Sequence, residues 1–320
     1  MIDFRYHLVS IVSIFLALAV GILLGAGPLQ EDLGKTLTNQ VSTLRKEKDV
    51  LRTQLQQAEA RFDASDKFVT AVTPALTESR LGGRSAVIVT LPGTDASLVS
   101  GVSKALTSSG ATVSGTVEIQ DAWTDPAKRS FRDQLVGSLA PLVGLEEASG
   151  NLDSRMGALL ARALVVDRVS DADRPSTSAT QALTGLKEAG LASFEGDGPA
   201  PATLAVVVAP APDESLTSEQ RDAELAAWVA LAGQLDAGSN GAVVVGDEGG
   251  TTTAGGGLVS AVRADDAVAG KVSTVDDIAA AMGRIALVYA LRQQMVGEAG
   301  QYGVGGGASA LLPPLTASVP

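Results

Sequence analysis

The chain carries an uncharged stretch of nineteen residues near its start, Leu8 to Ala26, reading LVSIVSIFLALAVGILLGA. As a helix rising about 1.5 Å per residue it covers roughly 28 Å, close to the hydrocarbon thickness of a bilayer. Arg5 lies on one flank and Glu31 and Asp32 on the other. The positive-inside bias therefore places Met1 in the cytoplasm and everything after Pro28 outside. A cleaved signal peptide is the rival reading. Its apolar core is usually about 7–15 residues long and follows a more basic start. Gly25-Ala26-Gly27 does supply small residues of the kind a signal peptidase cuts at. Gly21 and Gly25 form a GxxxG spacing that lets two such helices approach closely.

After Pro28 the pattern changes. Leu37, Val41, Leu44, Lys48, Leu51, Leu55, Ala58, Phe62, Ser65, Val69 and Val72 follow an alternating 4,3 spacing, with only Lys48 and Ser65 polar. Arg45, Lys46, Glu47, Asp49, Arg52 and Glu59 lie off this seam. Heptads sustained in one register predict a coiled coil, and a homodimer is the expected state. A helix laid along the protein's own domain is the alternative. Lys48, at an a position, trades stability for a defined, low oligomer number. Pro74 is expected to end the regular pattern, and Gly82-Gly83 to mark a hinge.

From Arg84 onward short Val-rich runs alternate with helical stretches. Strands are expected at Ala86–Leu91, Thr112–Ile119, Leu191–Glu195, Leu204–Ala209, Gly241–Val245 and Val272–Val275. Helices are expected at Asp95–Ser109, Arg129–Leu139, Leu152–Val165, Ser176–Ala189 and Ser218–Leu235, the last capped by Thr217 or Ser218. A final helix runs to about Met295, with Asp276 or Asp277 as its cap. Uninterrupted apolar strands separated by helices predict a mostly parallel sheet covered on both faces, a three-layer Rossmann-like or flavodoxin-like α/β domain. The expected organisation is an anchor over 1–28, a stalk over 29–83, an outer domain over 84–300 and a Gly/Pro-rich disordered tail over 301–320.

Composition narrows the function classes. The 320 residues are 45% apolar, only 3% aromatic, and include no cysteine. Thiolate nucleophiles, iron–sulfur clusters and thiolate zinc sites are excluded, as is a disulfide framework. The net charge of −12 lies wholly beyond residue 80, because eight acidic and eight basic residues balance between Glu31 and Arg80. Such a domain repels nucleic acid and anionic lipid, and its charge serves solubility first.

Candidate chemistry is sparse. The sole histidine, His7, sits at the edge of the anchor, so Ser-His-Asp catalysis and His-based zinc sites are excluded from the outer domain. The first strand ends Leu91-Pro92-Gly93-Thr94-Asp95, without the G-x-G-x-x-G of a dinucleotide site. The glycine-rich run Gly246 to Gly257 begins with two carboxylates and has no following lysine, which argues for a plain loop rather than a phosphate cradle. No catalytic residues, no cofactor and no enzymatic activity are expected, and metal ligands are left unassigned.

The opening MIDFRYHLVSIVSIFLALAVGILLGAGPL resembles that of the actinobacterial MctB family of mycobacterial copper transport proteins. The resemblance extends through the stalk to Val275-Asp276-Asp277, GRIALVYALRQQM, Gly300-Gln301-Tyr302-Gly303 and Ala310-Leu-Leu-Pro313. It implies a cell-envelope protein credited with a pore and with copper efflux across the outer membrane, copper being cargo. A second line of the same family, named SteB, implies a role in cell separation. There it pairs with a SteA-like membrane protein and activates an NlpC-type peptidoglycan hydrolase. Copper favours Cys, Met and His ligands, and Met156, Met282 and Met295 show no ligand spacing. A barrel pore needs alternating strands of about ten residues, unlike the short apolar strands here.

Overall fold

The computed structural model describes residues 4–25, 29–145, 150–174, 176–247 and 256–315, with side chains of the second helix from residue 37 onward. The chain divides into two compact units, residues 1–65 and 66–320.

In the first unit, helix α1 (Phe4–Gly25) buries none of its residues. Its mean hydropathy of 2.7 makes it the one helix, among the described residues, long and apolar enough to cross a membrane. Helix α2 (Leu29–Thr77) follows and runs on into the second unit. It continues through Pro74 instead of stopping there. The missing proline N–H costs one bond of the ladder, and the helix closes just past Thr77, where Glu78 N donates to the Pro74 carbonyl. The second unit takes in the last three turns of α2, which the sequence groups with the stalk. There Asp66, Val69, Val72, Thr73 and Leu76 are half-buried and Thr77 is buried.

The rest of the second unit is a layered α/β domain. Its elements are β1 (Ser85–Thr90), α3 (Ala96–Ser108), β2 (Thr112–Ile119), α4 (Arg129–Leu139), α5 (Leu152–Leu164), α6 (Thr177–Glu188) and β3 (Ala192–Ser193). They continue with β4 (Leu204–Val208), α7 (Ser218–Ala237), β5 (Ala242–Val245), α8 (Leu258–Ala264) and α9 (Asp266–Ala269). The chain then forms β6 (Ser273–Val275), α10 (Ala281–Gln294) and β7 (Gln301–Tyr302). The sheet order is β3-β2-β1-β4-β5-β6-β7. All pairings are parallel except β2 with β3.

Every residue of β1, β4 and β5 is buried, which is why β4 and β5 read as unbroken apolar runs and β1 as one bounded by Ser85 and Thr90. Val87, Val89, Val207 and Val244 face a core shared with α5, α6 and α7. Ile88, Val206, Val208 and Val245 face the opposite core, shared with α3 and α10. The expected three-layer, Rossmann-like architecture is what the chain adopts.

Three expectations are corrected. The segment from residue 301 is not a disordered tail throughout: Gln301–Tyr302 pair with β6, and order extends to Leu315. Residues 316–320 lie outside the described residues. The helix starting near Asp276 begins instead at Ala281, with Ala280 as its N-cap and no side-chain cap from Asp276 or Asp277. The short edge strand expected over Leu191–Glu195 contracts to two residues. Most of the glycine-rich run, 248–255, lies outside the described residues, and Gly257 opens α8.

Candidate functional site

Strand order reverses direction between β1 and β4, and the loops leaving their carboxyl ends diverge to opposite sides. A crevice at such a switch point is the usual ligand position in open α/β sheets. The loop after β1 is a tight turn: Thr94 N donates to the Leu91 carbonyl, with Pro92 and Gly93 (φ +79) at its corner. The Thr94 hydroxyl lies 2.7 Å from the Leu91 carbonyl and 3.0 Å from that of Val208, tying the two loops together. Asp95 then caps α3, accepting from Ser97 N at 2.6 Å, and the Ser97 hydrogen bonds hold its carboxyl below the usual range.

The crevice has a volume of about 590 Å³ and is walled by Leu91, Pro92, Pro210, Pro212, Leu216 and Leu258. Its polar side chains are Asp121, Thr124, Asp213, Arg221 and Glu224. Arg221, Glu224, Leu225 and Trp228 all line it from α7. Their spacing of three, four and seven residues puts them on one helical face. Helix α7 is fixed at its start by the capping box of Thr217 and Gln220, as the sequence anticipates for Thr217. Trp228 is buried, and its indole N–H donates to Glu224 Oε1 at 3.1 Å. Arg221 Nη2 donates to the carbonyls of Asp213 and Leu216, holding that stretch of wall in place. Arg221 Nε is buried with no hydrogen-bond partner. The Asp213 carboxylate accepts from the backbone N–H and hydroxyl of Ser215, and these bonds hold its pKa below the usual value. The sequence reading passes over this α7 stripe; the 221/224/225/228 spacing beside a strand end is the signal that finds it.

At the far end of the sheet a second constellation is structural. Arg263 Nη1 pairs with Asp276 Oδ2 at 2.8 Å, with both side chains buried. Arg263 also donates to the Thr274 hydroxyl, the Tyr302 carbonyl and the Gly306 carbonyl. Asp276 accepts from Val304 N and Gly305 N, each at 2.8 Å. Gly303 (φ +126) packs so tightly on Asp276 that a Cβ would overlap the carboxylate. The neighbouring Asp277 carboxyl is pushed up to about 6, first by burial and then by the charges of Asp247, Asp276 and Asp66. Among the described residues no three His, Cys, Asp or Glu side chains gather to hold a metal ion. Met156 is buried in the core, apart from any such group.

The sequence-predicted seam lies on α2. Leu37, Val41, Leu44, Leu51, Leu55 and Phe62 are all exposed, between 43% and 64%. Lys48 and Ala58 are exposed as well. Gly21 and Gly25 on α1 have open space where a side chain would stand.

A parallel-rich sheet with helices on both faces, preceded in sequence by a helix of membrane-spanning length, defines a Rossmann-like α/β protein with, among the described residues, one candidate transmembrane segment. The chain belongs to the MctB family, whose model, described as "Copper transport outer membrane protein, MctB", matches residues 1–313. It is 30% identical to the protein named "Copper transporter MctB" of Mycobacterium tuberculosis over 319 residues, 96% of this chain and 98% of that one. A protein of the same name from Mycobacterium leprae is 30% identical over 336 residues, covering 98% of this chain and all 100% of its own.

Proposed function

We propose that this chain is a non-enzymatic, single-pass cell-envelope protein that serves copper efflux as a paired scaffold. Its N-terminus is cytoplasmic and its α/β domain periplasmic, in keeping with Arg5 on the inner flank of α1 and the acidic residues beyond it. The observation that carries the reading is the apolar stripe from Leu37 to Phe62, exposed along its whole length on a helix that follows a spanning segment. Exposed leucines in heptad register are costly in water and are covered when a second copy supplies the facing knobs. Anchoring both copies in one membrane raises their effective concentration. Copper comes to the proposal from the family description and the named relatives, and it is the cargo of the route. The open sheet, with short strands buried on both faces, argues against the domain itself forming the wall of a pore.

Leu44→Asp with Leu51→Asp in the full chain tests this. Crosslinking in membranes should show dimers for the parent chain and monomers for the variant. Cells carrying the variant should accumulate copper as a gene deletion does. Unchanged cell-associated copper in the deletion strain, or a variant that still dimerises, sinks the proposal.

A second reading rests on the same exposed stripe, which a helix of a different protein can also cover. In it the same paired helix recruits a SteA-like membrane partner and activates a peptidoglycan hydrolase during cell separation. A deletion strain with normal copper but chained, unseparated cells would select this reading over the first.

A further inference from the structure

The crevice at the ends of β1 and β4 plays no part in the pairing of α2, and its chemistry is specific enough to name a ligand class. We propose that it binds a small organic cation, an apolar body bearing a single ammonium group. Its volume of about 590 Å³ lies within the range of small-molecule sites, which are mostly apolar with a few placed polar groups. Proline and leucine side chains from the loops after β1 and β4, with Leu258 at the start of α8, form the walls, and rigid prolines lose little entropy when a ligand covers them.

The charges decide the sign of the ligand. Asp121, Asp213 and Glu224 line the crevice against the single guanidinium of Arg221. Arg221 Nη2 is held by the carbonyls of Asp213 and Leu216, and its unpartnered Nε is buried away from solvent. Asp213 is kept ionised by the two Ser215 hydrogen bonds. Glu224 is oriented by Trp228, which takes only one of its carboxylate oxygens, leaving Oε2 without a partner among the described residues. An ammonium entering here meets acceptors that are fixed in place before it arrives. A carboxylate entering here meets three like charges. The acidic excess of the chain beyond residue 80 acts in the same direction at longer range.

The chain contains two tryptophans, and Trp228 lines the crevice, so binding is readable from intrinsic fluorescence. The full chain in non-ionic detergent is titrated with phenethylamine, 3-phenylpropionate and 2-phenylethanol, three probes with nearly the same apolar body and different charge. The expected result is saturable quenching by phenethylamine, at least ten-fold tighter than by either other probe and weakened by added salt. Glu224→Gln with Asp213→Asn keeps the hydrogen-bond acceptors, removes two charges, and should weaken phenethylamine about ten-fold with an unchanged thermal midpoint. Calorimetric titration of the parent chain is the second measurement should that variant fail to fold. Equal binding of all three probes, preferential binding of 3-phenylpropionate, or no saturable binding overturns the proposal.

Discussion

The backbone N–H of Ala281, the first residue of α10, donates to Oδ1 of Asp66 on α2 at 2.9 Å, a contact between residues 215 apart in sequence. Helix α10 begins without a cap of its own, and a carboxylate from a distant helix fills that place. Acidic groups at helix N-termini satisfy an orphan donor and complement the macrodipole. A second bond, from the Tyr289 hydroxyl to the Leu76 carbonyl at 2.8 Å, joins the same two helices three turns further along α2.

Replacing Asp66 by Ala should therefore lower the stability of the α/β unit by about 1 kcal/mol, the usual cost of losing an N-cap. Asp66→Asn should recover most of it. Denaturant titration of both variants measures the difference. Equal stability of Asp66→Ala and the parent chain would show the contact to be energetically idle.

Asp276→Ala leaves the Arg263 guanidinium buried without its counter-ion and frees Val304 N and Gly305 N. Breaking one partner of a buried pair costs about 3–5 kcal/mol. The variant should be much less stable than Asp66→Ala, with early exchange of the amides of residues 301–306. Hydrogen exchange followed by mass spectrometry checks both the size and the place of the effect.

Gly303→Ala puts a methyl group against the Asp276 carboxylate at a backbone angle that L-residues avoid. A cost of about 1–3 kcal/mol is expected from the backbone strain alone. Gly306→Ala, with open space at the corresponding point, should be nearly neutral by the same denaturant assay.

Two carboxyls make stability depend on pH. Asp277 and Asp236 are both raised from 3.8 to about 6, with burial the leading cause in each case. Between those values the folded protein holds protons that the unfolded chain has released. The stability they contribute is therefore complete below about pH 4 and lost as pH rises through 6. Both side chains are partly exposed, so solvent screening reduces the combined effect to the order of 1 kcal/mol. The thermal midpoint should fall between pH 5 and pH 7.5, and Asp277→Asn should flatten that slope. A midpoint that rises over the same interval would contradict the assignment.

Much of this architecture is legible in sequence because the central strands are buried on both sides. Leu204–Ala209 and Gly241–Val245 leave no polar position to break the run, and Ala86–Leu91 only Thr90, so they announce themselves. The long apolar helix α1 is legible for the same reason, an uninterrupted pattern. The edges are not. Two-residue strands such as β3 and β7 have no periodicity to detect, and α8 is a seven-residue helix beside a glycine run. Residues 303–307 look disordered by composition, since their order comes from hydrogen bonds to Arg263 and Asp276 and not from any apolar face of their own. The crevice was half legible. The Pro92-Gly93 turn and the Thr217 cap are local signals, whereas the convergence of Asp121, Asp213 and Glu224 depends on the segments after β2 and β4 meeting helix α7 in space.

The position of β7 constrains how the domain is made. Gln301 and Tyr302 cover the outer edge of β6, yet they follow every other strand of the sheet in chain order. Until they arrive, β6 presents unpaired amides and carbonyls that another chain can add to. The sheet is thus completed only after all six other strands have been made, and a ribosome stalled short of residue 301 would release a product prone to aggregate.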